Sequence, residues 1–296
     1  MLKWENWVFY NSFMLSQTPA IYPPKMMNDY PQLTPFLETV LYFFLGIFGR
    51  YVLIALLFQY LFRVKFQAEF APREVNTKAR RPHQDWREIG YSALTSVVFA
   101  FAGAAMLRAW EKGWTKIYGN WEDYSLWWLP LSVVVVLLLH ETYYYWLHRL
   151  MHHSYLYRWM HKAHHDSTTT SAWTSFSFHP TESILQALVL PALLFLIPVH
   201  YAAVGLVLLI MTTTSVINHL NTEIYPKDFY DNWFGKYWIG ATHHSLHHSQ
   251  FRYNYGLYFT FWDQLMKTES PDFKRLFDKK TNYSKSYKSQ EQSIIE

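Results

Sequence analysis

Apolar residues in this chain gather into long runs, Val52 to Phe62, Ser92 to Leu107, Leu126 to Leu139 and Ile184 to Ile210, rather than recurring at a helical or strand period. Runs of this length are a membrane pattern. A content of 51% hydrophobic and 20% aromatic residues would also suit a large soluble domain, so distribution and not content sets the fold class. It predicts an all-α chain of polytopic membrane helices with about four spans. These lie at about 36 to 62, about 89 to 109 and about 126 to 147, followed by a hairpin at about 183 to 218 broken by Pro191 and Pro198. Arg50, inside the first span, must face protein, snorkel, or mark a break between two shorter helices.

Charge orients these spans. The stretch from Arg63 to Arg87 holds Arg63, Lys65, Arg73, Lys78, Arg80, Arg81 and Arg87 against Glu69, Glu74 and Asp85. The next loop carries only Lys112 and Lys116, with Trp110, Trp114, Trp121, Trp127 and Trp128 clustered as an interfacial belt would be. The basic loop is therefore expected in the cytoplasm, which puts residues 148 to 182 and 219 to 296 there too, as a histidine-rich helical cap. A net charge of +4 is modest, and no nucleic-acid partner is expected. Met1 to Thr34 offers no removable signal peptide, so the first span would itself target the protein, to a bacterial inner membrane or to the endoplasmic reticulum. Residues 1–296 read as a single integral-membrane domain without internal repeats. Its chemistry lies between 140 and 268, and residues 279–296 form a polar, Lys- and Ser-rich tail.

The chain has no cysteine, so any metal must be held by histidine or carboxylate. Its 15 histidines include three clusters: HETYYYWLHRLMHH at 140–153, HKAHH at 161–165 and HHSLHH at 243–248. Each has helical spacing, with His148 and His152 at i and i+4, His161 facing His164 and His165, and His244 facing His247 and His248. One such pair is more often a surface coincidence than a ligand set. Three beside membrane segments are costly unless paired or ligating. Eight histidines stand at ligand spacing, with His140, His179 and His219 as further candidates. A single tetrahedral zinc cannot use them all, whereas two metals can, and imidazole suits iron as well as zinc. Tyr144, in line with His140 and His148, is the aromatic residue best placed to face such metals. Glu141, Asp166, Glu182 and Asp263 are the carboxylates best placed to orient imidazoles.

The ordered set H-x3-H, H-x2-H-H and H-x2-H-H resembles the signature of the fatty acid hydroxylase and sterol desaturase superfamily. The resemblance runs from His140 to about Thr268. It includes His148 with Arg149, His179 with Pro180, and the segment FRYNYGLYFTFWDQLMKTES, which is most similar to C-5 sterol desaturases and similar also to cholesterol side-chain hydroxylases. It departs from the family in having Glu141 where many relatives have Asp, and in carrying no fused cytochrome b5 domain.

The resemblance implies two iron ions, replaceable by zinc in vitro, with dioxygen as co-substrate. It assigns His148, His152, His161, His164, His165, His244, His247 and His248 as ligands and adds His140, His179 and His219 behind them. Tyr144, Glu141 and Asn254 become the candidate catalytic residues. The activity implied is hydroxylation or desaturation of a sterol-like or fatty-acyl lipid taken from the bilayer. With no thiolate, flavin or nicotinamide fingerprint, electrons would come from a separate ferredoxin or cytochrome b5 with its reductase. The basic loop could dock that carrier, although ordinary positive-inside charge and lipid headgroup binding are the commoner reason for such a loop. Two alternatives stay open: a zinc-dependent membrane lipid hydrolase with Glu141 activating water, and a metal transporter or sensor.

Overall fold

The computed structural model describes residues 36–282. The expectations for Met1 to Thr34 and for most of the polar tail lie outside them, and residues 279–282 continue a helix that begins at 273. The chain is all-α, as its apolar runs predict. Helices α1 (Phe36–Tyr60), α2 (Gln84–Glu111), α3 (Trp128–Met151), α4 (Ser154–Met160), α5 (Lys162–His165), α6 (Pro180–Leu196), α7 (Tyr201–His219), α8 (Ala241–Gln250) and α9 (Phe261–Leu265) follow one another. Strand is confined, among the described residues, to a parallel pair of two residues each, Ile117–Tyr118 (β1) with Val199–His200 (β2).

Among the described residues, three helices are long and apolar enough to cross a membrane: α1 with its π-helical extension to Lys65, α2, and α7. Two expected spans differ from this. The segment at 126–147 is helical, as α3, but His140, Glu141, His148 and Arg149 fill its second half and lower its hydropathy. The first arm of the hairpin, α6, has 17 residues, and Pro191 sits inside it without breaking it; the turn falls at Pro198. Proline is tolerated there because neighbouring groups in a membrane bundle can compensate the lost backbone bond.

Along α1, Leu37, Leu41, Leu45, Leu53, Leu56 and Leu57 are exposed, as lipid-facing side chains are. The opposite side packs on α2, where a Cβ added at Gly103 would lie 2.6 Å from the Phe43 ring, so glycine is what permits the close approach. Tyr51 is fully buried, stacks on Phe176 and donates its hydroxyl to the Trp173 carbonyl at 2.9 Å.

The basic loop folds back on the histidine-bearing segments. Val75 N–H donates to the Asn221 carbonyl, and Arg80 bonds Glu88 at 2.9 Å and Ser171 Oγ at 3.0 Å. Buried Glu88 also accepts from Gln84, Ser171 and Thr174. Arg73 donates to the Tyr225 carbonyl. Several of these basic residues thus hold the cap to the membrane helices, and the loop and the histidines share one end of the molecule.

Candidate metal centre

Three helix ends and two short helices bring nine imidazoles together. In one group the ligand atoms of His148, His152, His161, His165 and His247 all lie within 4.8 Å of one another; in a second, those of His164, His219, His244 and His248 do. The i, i+4 pairs sort the residues. His148 with His152, and His161 with His165, share the first group, and His244 with His248 share the second. Adjacent positions on a helix point about 100° apart, so His164 and His247 leave their neighbours and join the opposite group. The expected facing of His161 with His164, and of His244 with His247, is divided in this way between two groups. The groups touch, with the His165 and His248 rings stacked at 4.5 Å.

The backbone fixes how these rings point. Nδ1 of His148 bonds the Tyr255 carbonyl at 2.8 Å, Nδ1 of His164 that of Ser177 at 3.2 Å, Nδ1 of His219 that of Ser215 at 2.7 Å, and Nδ1 of His247 that of Tyr253 at 2.7 Å. A carbonyl only accepts, so Nδ1 carries the proton in each case. Burial pushes His247 down to about 4, and burial followed by the neighbouring imidazoles pushes His164, His165, His244 and His248 well below the ordinary 6.5. Neutral rings protonated at Nδ1 present an Nε2 lone pair. Yet His164 Nε2 and His219 Nε2 face each other at 3.2 Å, both as acceptors with no proton to share. In the first group His148 Nε2 faces His161 Nε2 at 2.9 Å, while His161 Nδ1 lies 2.9 Å from Glu182 Oε2. Converging lone pairs repel unless a cation sits among them, so the donor set fits two imidazole-bound metal ions, iron or zinc by ligand chemistry.

The remaining sequence candidates stand apart from both groups. His179 caps the start of α6, its Nδ1 engaged by the hydroxyl and the N–H of Thr181. His140 is buried with Nδ1 3.4 Å from the Tyr258 hydroxyl. Glu141 accepts the Leu257 and Tyr258 amides at 3.0 and 2.8 Å, which occupies both carboxylate oxygens. Asn254 joins the His243 carbonyl to the Ser270 amide. These two residues position chain segments rather than face the imidazoles.

Tyr144 lies with its ring 5.2 Å from that of His148. Asp263 accepts the Tyr255 and Gly256 amides and thereby holds the carbonyl that anchors His148. Burial raises its carboxyl to about 6 against the pull of those donors. Asp166 pairs instead with Lys162 and Arg81 at the surface. Missed from the sequence are the carbonyls of Ser177, Ser215, Tyr253 and Tyr255, which any residue type could supply.

A cavity of about 620 Å³ opens beside the second group, lined by His140, Tyr144, His219, Leu257 and Tyr258 and by mostly apolar residues of α1, α2, α6 and α7, with Arg50 among them. Its size is that of a small-molecule or lipid site.

Comparison with known proteins finds similarity over the segment that carries the histidines. Residues 133–268 match the fatty acid hydroxylase family. The resemblance carried by the histidine boxes is borne out by its relatives as well. The chain is similar to lathosterol oxidase of Rattus norvegicus, 32% identical over 52% of this chain and 50% of that protein. It is also similar to a Delta(7)-sterol 5(6)-desaturase of Gibberella zeae, 28% identical over 51% and 46%. A third relative, the Delta(7)-sterol 5(6)-desaturase erg3C of Aspergillus fumigatus, is 26% identical over 78% and 72%. The chain spans about half the length of the first two relatives. No solved structure gives a significant match.

Proposed function

We propose that the protein is a membrane-bound diiron oxygenase that uses dioxygen and external electrons to hydroxylate or desaturate a sterol-like or fatty-acyl lipid. The observation that carries this reading is His219, which belongs to the second imidazole group and also lines the apolar cavity, so a lipid lying there abuts the metal site. Iron bound at the two groups would supply the activation of dioxygen. The chain does the rest. Backbone carbonyls fix the rings of His148, His164, His219 and His247, Glu182 faces that of His161, and the apolar lining excludes water. Tyr144 and Tyr258, both buried, form the wall against which a C–H bond would rest. Glu141 sets the position of that wall through the Leu257 and Tyr258 amides.

Purified protein loaded with iron should give at most one turnover alone, and sustained product only with oxygen, NAD(P)H, a reductase and a ferredoxin or cytochrome b5. Under labelled dioxygen an alcohol product should carry the label, and a desaturated product should be lighter by two hydrogens. Turnover with zinc alone, without oxygen or reductant, and with gain of water across a cleaved bond, would replace this reading by a hydrolase.

The site belongs on the cytoplasmic side in this reading, because the basic loop packs on the segments that carry the histidines. A cysteine introduced at the exposed Lys78 should react only with reagents on that side. Labelling from the opposite face would reverse the orientation.

A further inference from the structure

We infer that the lipid taken by this cavity carries a carboxylate, and that Arg50 holds it. The inference rests on reading the cavity as the substrate site, and it narrows the substrate class. Arg50 lies in the body of α1, far from either helix end, and lines the cavity. Among the described residues it is the sole Asp, Glu, Lys or Arg that does so. Its Nε is buried without a hydrogen-bond partner. The Ser and Thr hydroxyls that share the wall already donate elsewhere: Ser175 to the Ala172 carbonyl at 2.8 Å, Ser215 to that of Ser175 at 3.0 Å, and Thr212 to that of Leu208 at 2.9 Å. Gln186 donates to Glu182 at 2.9 Å. The guanidinium is therefore the one charged group in the lining, its charge uncompensated in a largely apolar chamber.

A cation so placed in a membrane helix is expensive unless something pairs with it, and a planar guanidinium matches a carboxylate in two parallel hydrogen bonds. A neutral hydroxyl would accept a bond but leave the charge. A phosphate monoester would bring a second negative charge, for which the lining has no partner. One carboxylate on an apolar body balances the site. His219 and His140 line the same cavity, so a ligand held by Arg50 lies in the chamber that reaches the second imidazole group.

The test measures binding rather than turnover. Full-length protein in nanodiscs of neutral lipid is titrated with cis-parinaric acid and with its methyl ester at about pH 8.5, where the acid is ionised. Empty nanodiscs are subtracted. Wild type should bind the acid at least about tenfold more tightly than the ester, because only the acid pairs with the buried charge. Arg50→Gln should lose that preference by weakening the acid while the ester binds as before, which also certifies the fold. Arg50→Lys should keep part of it, as a point charge without the fork. Equal binding of acid and ester by wild type would overturn the assignment, even if Arg50→Gln does not fold. An undiminished acid preference in Arg50→Gln would overturn it too. A neutral 3-hydroxysterol that binds Arg50→Gln and wild type alike, displaces the acid and is oxidised would refute the carboxylate while leaving the oxygenase reading intact. Failure of every probe to bind would count against the cavity as the substrate site.

Discussion

A His247→Ala protein is expected to lose activity by at least about a hundredfold and to hold about one metal equivalent where wild type holds about two. His247 is the choice because it is the meeting point of the first group, with Nε2 3.1 Å from that of His152 and 3.0 Å from that of His165. It is also set by the fold, through its Nδ1 bond to the Tyr253 carbonyl. Burial holds the ring neutral down to about pH 4, so at pH 7 the substitution removes a ligand and not a proton. The deleted ring leaves a small cavity in α8 and two imidazoles without a counterpart, a local defect rather than loss of a membrane helix. His140→Ala is the contrast. It removes a buried imidazole outside both groups, so metal content should stay at the wild-type value. Metal analysis on both proteins, together with turnover, checks the pair. Full metal and full activity in His247→Ala would refute the grouping.

Much of the architecture was legible because membrane helices announce themselves through long apolar runs, as α1, α2 and α7 do. The helix that carries the first histidine box was harder, since the residues that give it chemistry are those that dilute its hydropathy. Helical spacing assembled the histidines on common faces. It did not separate His164 from His165 or His247 from His248, because the division depends on where α5 and α8 stand relative to α3 and α7. That is a tertiary fact. Glu141 and Asn254 show the converse limit: polar residues inside a motif looked chemical, and the structure places both in the backbone bonds that hold the cavity wall and the last box. Arg50 was a question in the sequence, one charge in an apolar run. Only the cavity gave it surroundings.

That cavity supplies the second large effect, expected from Gly46→Phe. Gly46 and Tyr42 line the cavity from α1 and both are exposed, which makes this stretch of the helix the rim between the chamber and its surroundings. A Cβ at Gly46 meets nothing within 4 Å, so a side chain can start there without striking a neighbour, and replacing glycine also favours the helical backbone. Gly103, which lines the same cavity, cannot serve, because any side chain there strikes Phe43 and would part α1 from α2. The ring at position 46 obstructs access while leaving every imidazole in place. Bound metal and thermal stability should therefore match wild type, and kcat/KM for the lipid should fall at least about tenfold, chiefly through KM because the obstruction acts on binding and not on the reacting carbon. Gly46→Ala, with one methyl group in open space, should stay close to wild type. The measurement is a steady-state comparison of the three proteins with metal content in parallel. Undiminished kcat/KM in Gly46→Phe would mean that the lipid reaches the histidines by another route.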